Sequence, residues 1–370
     1  MNHVPTTSHY DLLARTWRCP APVTALAFAG DGSAVAFALA DGTVAITATA
    51  DEEAPDRRIR VSADIGRATI RPRRDPLPPL TLVPGDGSAP LIAPGAGAEF
   101  LLGTAAGAVL TLSATGIAGE TALAFDRPVT ALDRNGATGT VAASDGETLL
   151  FSDDPRDPGA IRGAAGSAIG CLALSPDGGL VAIAEDRALT VSDLAGAAPF
   201  VVTLPARPTA IAWRGDGRWI AAPMIEGGFA LIDLAGRTSS VVGGFPAPVQ
   251  TVAFSGPAKA LVASGAFRVA GWSMETPPVG DARQGALETG RRGFVAVDRV
   301  AAHPKRKLVA AAYENGQILV AQIGKPDELI VRPAGASVTA MEWSADGREL
   351  AFGASDGTAA LIGFPPQMFK

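Results

Sequence analysis

Apolar and polar residues alternate in short bursts along the chain, and the bursts return in the same order. Four of them, "VTALAF" (23–28), "PTAIAW" (208–213), "VQTVAF" (249–254) and "VTAMEW" (338–343), show the alternation most clearly. A period of two places successive side chains on opposite faces of a strand. In the first burst Thr24, Leu26 and Phe28 share one face, while Ala25 and Ala27 share the other. Ile211 with Trp213, Val252 with Phe254, and Met341 with Trp343 repeat the bulky face. A polar turn follows, as in "GDG" (30–32), "SPDG" (175–178), "GDG" (215–217) and "SADG" (344–347). Asp and Gly tolerate the positive φ that tight hairpins need. Next comes a nearly all-apolar run such as "LVAIA" (180–184) or "KLVAAAY" (307–313), then a second turn and a third strand.

This phrase occurs eight times, with first strands beginning near Val23, Pro90, Val129, Ile169, Thr209, Val249, Val297 and Val338. Leu194, Leu234 and Met274 are equivalent and 40 apart; Gly107 and Gly146 lie 39 apart, and Gly316 and Gly357 lie 41 apart. A strand-and-turn repeat of about 40 residues predicts propeller blades, units that bury their faces only by stacking on neighbours. The alanines fit this reading, because a strand squeezed between sheets about 10 Å apart needs one bulky and one small face. "LLARTWRC" (12–19) reads as a lone strand ahead of the first unit, and the last unit stops after its third strand at "ALIGF". One spare and one missing strand predict that the N-terminal strand completes the final blade and closes the ring, leaving no open edge. The expected fold is all-β: a single eight-bladed β-propeller over 1–370. Seven blades is the fallback count, because the second unit opens on the weak strand "PLIA" (90–93). Pro365 and Pro366 stop the last strand and leave "QMFK" as a mobile tail.

The order of strand, "SPDG" turn, strand, "SDG" turn and strand resembles the WD-repeat β-propeller family over most of 12–364, in a degenerate, stand-alone, bacterial-type form. The Trp-Asp position reads "SDL" (192–194), "IDL" (232–234), "WSM" (272–274) and "AQI" (321–323), and the Gly-His dipeptide is missing. The family's Asp-His-Ser-Trp hydrogen-bond network is therefore not expected. Asp41, Asp145 and Asp356 are read as turn formers that bond local backbone. The resemblance implies a protein that binds other proteins through loop-lined faces and blade sides, most often on seven blades.

Two places break the period. Gly42 and Gly107 hold equivalent turns yet lie 65 apart, which places an insertion at 49–76 between the first two blades. From 57 to 74 it carries seven arginines (Arg57, Arg58, Arg60, Arg67, Arg71, Arg73 and Arg74) and one aspartate, in a chain of net charge −6. A shorter insertion, 275–292 between blades 6 and 7, ends in Arg291 and Arg292. Insertions in repeat proteins form loops, and loops on a rigid scaffold carry function. Arg grips carboxylate and phosphate in bidentate fashion, so these nine arginines are the candidate partner-binding residues. An acidic protein surface, a nucleotide phosphate or RNA could answer them. The competing reading is a solvated loop offset by Asp51, Glu52, Glu53 and Asp56. No aromatic is interleaved with the insertion's arginines and the chain is acidic overall, which argues against nucleic acid. Either "RIRVS" (58–62) or "LTLV" (80–83) could supply the outer strand of the first blade.

Candidate chemistry is sparse. The chain holds three histidines, of which His303, in "AHPKRK" (302–307), is expected on a surface turn. His3 and His9 have no companions at zinc-ligand spacing, so no metal is expected. Cys19 and Cys171 form no disulfide framework and are expected as reduced thiols. Cys171 falls on a small-residue face and reads as a buried hydrophobe, whereas Cys19, after Arg18, could be a somewhat activated thiol. "GAGAEF" (95–100) joins two strands, and no P-loop, dinucleotide fingerprint or G-x-S-x-G occurs. "DEE" (51–53) and "DD" (153–154) are expected to be solvated. Trp213, Trp272 and Trp343 read as packing residues; Trp17 and Trp219 stay open between packing and ligand contact.

No run approaches the ~18 apolar residues of a membrane span, and no basic segment precedes an apolar one at the N-terminus. A cytoplasmic protein without cofactor or membrane partner is expected. The function expected is that of a non-catalytic scaffold or accessory subunit, monomeric outside its complex, that binds a protein partner with an acidic surface. The alternative is a propeller enzyme, or a small-molecule or phosphate binder, working through the central channel.

Overall fold

The computed structural model describes residues 8–61, 68–165 and 168–369 of the chain. Within them, eight four-stranded antiparallel sheets follow one another as blades of a β-propeller. The innermost strands of blades 1 to 8 are Val23–Phe28, Leu91–Pro94, Ala131–Arg134, Cys171–Leu174, Ala212–Trp213, Val252–Ser255, Val297–Ala302 and Val338–Trp343. Each second strand is apolar at nearly every residue because both of its faces meet a neighbouring sheet. In Ala34–Leu39, Trp219–Pro223 and Ala260–Ala263 every residue is buried.

The core is divided into eight apolar clusters, one at each junction between blades. Ile46 meets Phe100 and Leu112 between blades 1 and 2. Phe229 meets Trp272 between blades 5 and 6, with ring centres 5.5 Å apart. Ala359 and Leu361 of blade 8 join Val23, Phe28 and Phe37 of blade 1, so the ring is continuous. The fourth strand of blade 8 is Ala14–Arg18, antiparallel to Thr358–Gly363 with Ala14 opposite Ile362 and Trp17 opposite Ala359. A short helix, His9–Leu13, leads into it and is capped reciprocally by Ser8 and Asp11.

Hydrogen bonds between successive blades fix their spacing. Trp213 Nε1 donates to Ala173 O at 3.0 Å, and Trp343 Nε1 donates to Ala301 O at 3.1 Å, each reaching back one blade. Asn135 Nδ2 donates forward to Ser175 O at 2.7 Å, and Leu174 N donates back to Asp133 Oδ2 at 2.8 Å. Asp41, Asp145 and Asp356 accept backbone N–H groups two residues on, as turn formers do.

Two expectations are corrected here. His303 is buried, at 2% exposure: Nδ1 accepts the N–H groups of Lys305 and Arg306, and Nε2 lies 3.0 Å from Gly347 O in the "SADG" turn of blade 8. That turn admits the ring because residue 347 is glycine at φ +74°; a Cβ there would sit 2.3 Å from the imidazole. The tail is also fixed. Pro366–Phe369 forms a 3-10 turn, Phe369 stacks on Phe364, and Arg306 Nη1 donates to Phe369 O at 2.7 Å.

Candidate partner-binding surfaces

Strand direction alternates within every blade, which sorts the loops onto two faces. First-to-second turns and third-to-fourth loops emerge on one face; second-to-third turns and the linkers between blades emerge on the other. The 49–76 insertion lies between Val44–Ala48 and Thr81–Val83, the third and fourth strands of blade 1. "LTLV" therefore supplies the outer strand, and "RIRV" pairs separately as the hairpin Ile59–Val61 with Ala68–Ile70. Arg291 and Arg292 lie in the linker from Ala286–Thr289 of blade 6 to the inner strand of blade 7. That linker starts beside the third-to-fourth loop of blade 7, where Gly290 N donates to Lys325 O. It ends beside the second-to-third turn of blade 6, where Gly293 N donates to Phe267 O. Arg291 and Arg292 thus lie between blades 6 and 7, apart from the insertion of blade 1, and the nine arginines do not form one surface.

Within the insertion the arginines divide into two sets. Arg58 points inward, donating to Glu53 O at 2.7 Å, to Leu12 O at 2.6 Å and to Arg71 O. Arg73 grips the Asp51 carboxylate and lies 3.6 Å from Glu53. Glu53 also accepts the N–H groups of Arg74 and Asp75, which holds its carboxyl below the usual range. The expected solvated "DEE" is thus corrected at two positions: Asp51 and Glu53 are half-buried and tied to the arginines. Arg60, Arg71 and Arg74 form the second set, with no side-chain hydrogen bond or ion pair among the described residues. They crowd one another: local desolvation and the like charges of Arg60 and Arg74 push the Arg71 guanidinium below its ordinary value. Arg57 is exposed and reaches Glu52 O at 3.4 Å. Arg67 lies outside the described residues.

Beneath the insertion sits Arg15, an interior guanidinium at 5% exposure. It donates to Ala48 O and Thr49 O at 3.0 and 2.7 Å, and reaches Glu349 at 3.4 Å and Asp51 at 3.9 Å. Burial pushes the Glu349 carboxyl up to about 7, with Arg15 pulling the other way. Trp17 adds a tie, donating to Pro78 O at 2.8 Å. Above Arg15 opens a cavity of 560 Å³ bounded by Leu13, Thr49, Asp51, Glu349 and Phe364, with no inner-strand residue in its wall.

The remaining chemical groups are occupied in packing. Burial pushes both thiols up to about 11; for Cys19, Asp41 adds to the effect and outweighs Arg18, which overturns the activated-thiol expectation. Trp219 is buried against blade 6, and Trp272 Nε1 donates to Ala282 O at 2.7 Å.

Sequence reasoning passed over Arg15, Glu342 and Phe294. Arg15 carries no local signal, since its partners are far away in sequence. Glu342 does carry one. Its position is alanine in six other inner strands (Ala27, Ala93, Ala173, Ala212, Ala253 and Ala301) and aspartate in blade 3 (Asp133). Its carboxyl makes no hydrogen bond or ion pair among the described residues, and burial pushes it up to about 7.

No protein-family model and no curated protein matches the chain. Solved structures do. The β-propeller domain of Myceliophteria thermophila Cps50 (Swd1) superposes with a TM-score of 0.56 at 14% identity, covering 95% of this chain and 100% of that one. The computationally designed protein Ika8 superposes at 0.63 and 17% identity, covering 94% and 98%. The shared property is the fold. This chain is a β-propeller. Its arginine-bearing loops are its own departures from a regular ring.

Proposed function

We propose that the protein is a non-catalytic, degenerate WD-repeat propeller: a cytoplasmic scaffold or accessory subunit, monomeric on its own, that docks an acidic protein surface on its insertion face. One observation carries this reading. The root of the insertion is locked by Arg58, Arg73, Asp51, Glu53 and Trp17, while the side chains of Arg60, Arg71 and Arg74 have no hydrogen bond or ion pair among the described residues. A preorganised cationic surface loses little entropy on docking, and Arg matches carboxylates in bidentate geometry. The pairing of Ala14–Arg18 with the last blade, in this reading, is what closes the ring and keeps that surface rigid. The occupied state of His303, Cys19 and Cys171 supports a role without catalysis.

The test is purification from the native host with the wild-type chain and with Arg60→Glu, Arg71→Glu, Arg74→Glu combined. A stoichiometric acidic partner held by the first and lost by the second is expected; retention by both refutes docking on the insertion. A second reading, a small-molecule binder, draws on the 560 Å³ cavity above Arg15 in place of the central channel. There Arg15→Met, not the triple reversal, would remove ligand-induced thermal stabilisation.

A further inference from the structure

The face opposite the insertion carries an unexplained aromatic. Phe294 is fully exposed, the most exposed large apolar side chain among the described residues. It is not on a loose loop. Gly290 N donates to Lys325 O and Gly293 N to Phe267 O, both at 2.9 Å; Val297 N donates to Ala266 O at 2.8 Å. Arg291 N donates to Glu328 Oε2 at 2.9 Å. The linker 290–296 is therefore braced by blades 6 and 7 and holds the ring outward.

Two charges precede the ring in the chain. Arg291 and Arg292 are exposed, and their guanidinium groups have no hydrogen bond or ion pair among the described residues. Nearby Arg268, by contrast, is paired with Glu288 at 3.2 Å. An exposed apolar ring two and three residues from exposed guanidinium groups complements an apolar pocket with a carboxylate rim. Aromatic anchors and arginines are also the residues that dominate protein interfaces. A flat anionic membrane fits less well. The second-to-third turns on the same face expose Asp41, Asp186, Glu226, Glu314 and Asp356, which would be pressed against lipid phosphates.

We infer that the linker 290–296 is a docking site where Phe294 enters an apolar pocket of a protein partner, and carboxylates on the pocket rim pair with Arg291 and Arg292. The inference is independent of docking on the insertion face.

A photo-crosslinking phenylalanine analogue placed at 294 in the native host tests it. The expected result is one crosslinked protein, with the adduct on an apolar residue flanked by Asp or Glu. That protein, purified, should bind the wild-type chain, and Phe294→Ala should weaken binding at least about tenfold with the melting temperature unchanged. Arg291→Glu with Arg292→Glu should weaken it further, and added salt should weaken the wild type. The triple reversal at Arg60, Arg71 and Arg74 should leave this binding intact, which separates failure here from failure of the insertion reading. No adduct, an adduct on a second copy of this chain, or an adduct on a surface without acids overturns the inference. So does Phe294-dependent sedimentation with phosphatidylserine vesicles.

Discussion

The junction between blades 8 and 1 differs in kind from the junction between blades 3 and 4. Both bury apolar side chains from inner and second strands. Between blades 3 and 4 the polar links are short and local: Asn135 to Ser175 O and Pro176 O, Leu174 N to Asp133, and Thr130 to Ile169 O. Between blades 8 and 1 the interior polar link is a guanidinium, Arg15, with carboxylates on both sides, and Trp17 to Pro78 O and Arg58 to Leu12 O add further ties. Blades continuous in sequence are tethered by covalent linkers, so neutral hydrogen bonds suffice to set their spacing. The 8–1 junction has the linker 19–22 only between Ala14–Arg18 and Val23–Phe28; the other three strands of blade 8 lie more than 300 residues from Val23–Phe28, and charge helps to hold them there.

Four measurements sharpen this contrast. The largest effect is expected from removal of residues 1–18, which uncovers the edge of Thr358–Gly363. The truncated chain should lose its folded monomer and elute as oligomers, as an exposed strand edge dictates. A truncated chain that stays monomeric with an unchanged melting temperature would refute closure by this strand.

Next is Arg15→Ala, which strands two carbonyls and leaves Glu349 without its cation, while Asp51 keeps Arg73. A loss of about 3–5 kcal/mol in denaturant unfolding is expected. Asn135→Ala, at the other junction, should cost only about 1–3 kcal/mol. Equal losses would erase the distinction between the two junctions.

Glu342 gives the third. Its folded-state carboxyl titrates near 7, above the unfolded value of 4.5, so the native state holds a proton that the unfolded chain releases. Stability is then greatest below the unfolded value and falls as pH rises from about 4.5 through 7, levelling off above. Glu349 contributes with the same sign. Glu342→Gln should flatten the curve by roughly 3 kcal/mol across that window. Asp133, at the equivalent position, is also raised by burial, with the N–H groups of Leu174 and Arg134 pulling the other way.

The smallest effect is local. Cys19 reports on the 8–1 junction and Cys171 on blade 4. Both thiols, pushed up to about 11, should alkylate at pH 8 roughly a hundredfold more slowly than in the unfolded chain. In Arg15→Ala, Cys19 should speed up while Cys171 does not.

The ring was legible in the sequence because blades are local. Alternation, turn and apolar run lie within 40 residues of each other, so "VTAMEW" and "SADG" announce strand and hairpin without outside help. What stayed hidden depends on distance along the chain. His303 looks like a surface turn residue until Gly347, 44 positions later, leaves room for its ring. The seven arginines look equivalent until Asp51 and Glu53 select Arg58 and Arg73 as internal fasteners. Charge counting could group Arg291 with Arg60; only the order of the blades separates the linker between blades 6 and 7 from the insertion of blade 1. Glu342 alone was readable, as a carboxylate in a column of alanines.

The strand that completes blade 8 is made long before the strand it pairs with. Ala14–Arg18 leaves the ribosome about 340 residues ahead of its partner Thr358–Gly363. At roughly 5–20 residues per second, it waits roughly 20–70 s for the hydrogen bonds it will form. Two of its five residues are arginines, a composition that discourages pairing between neighbouring nascent chains on one message during that wait.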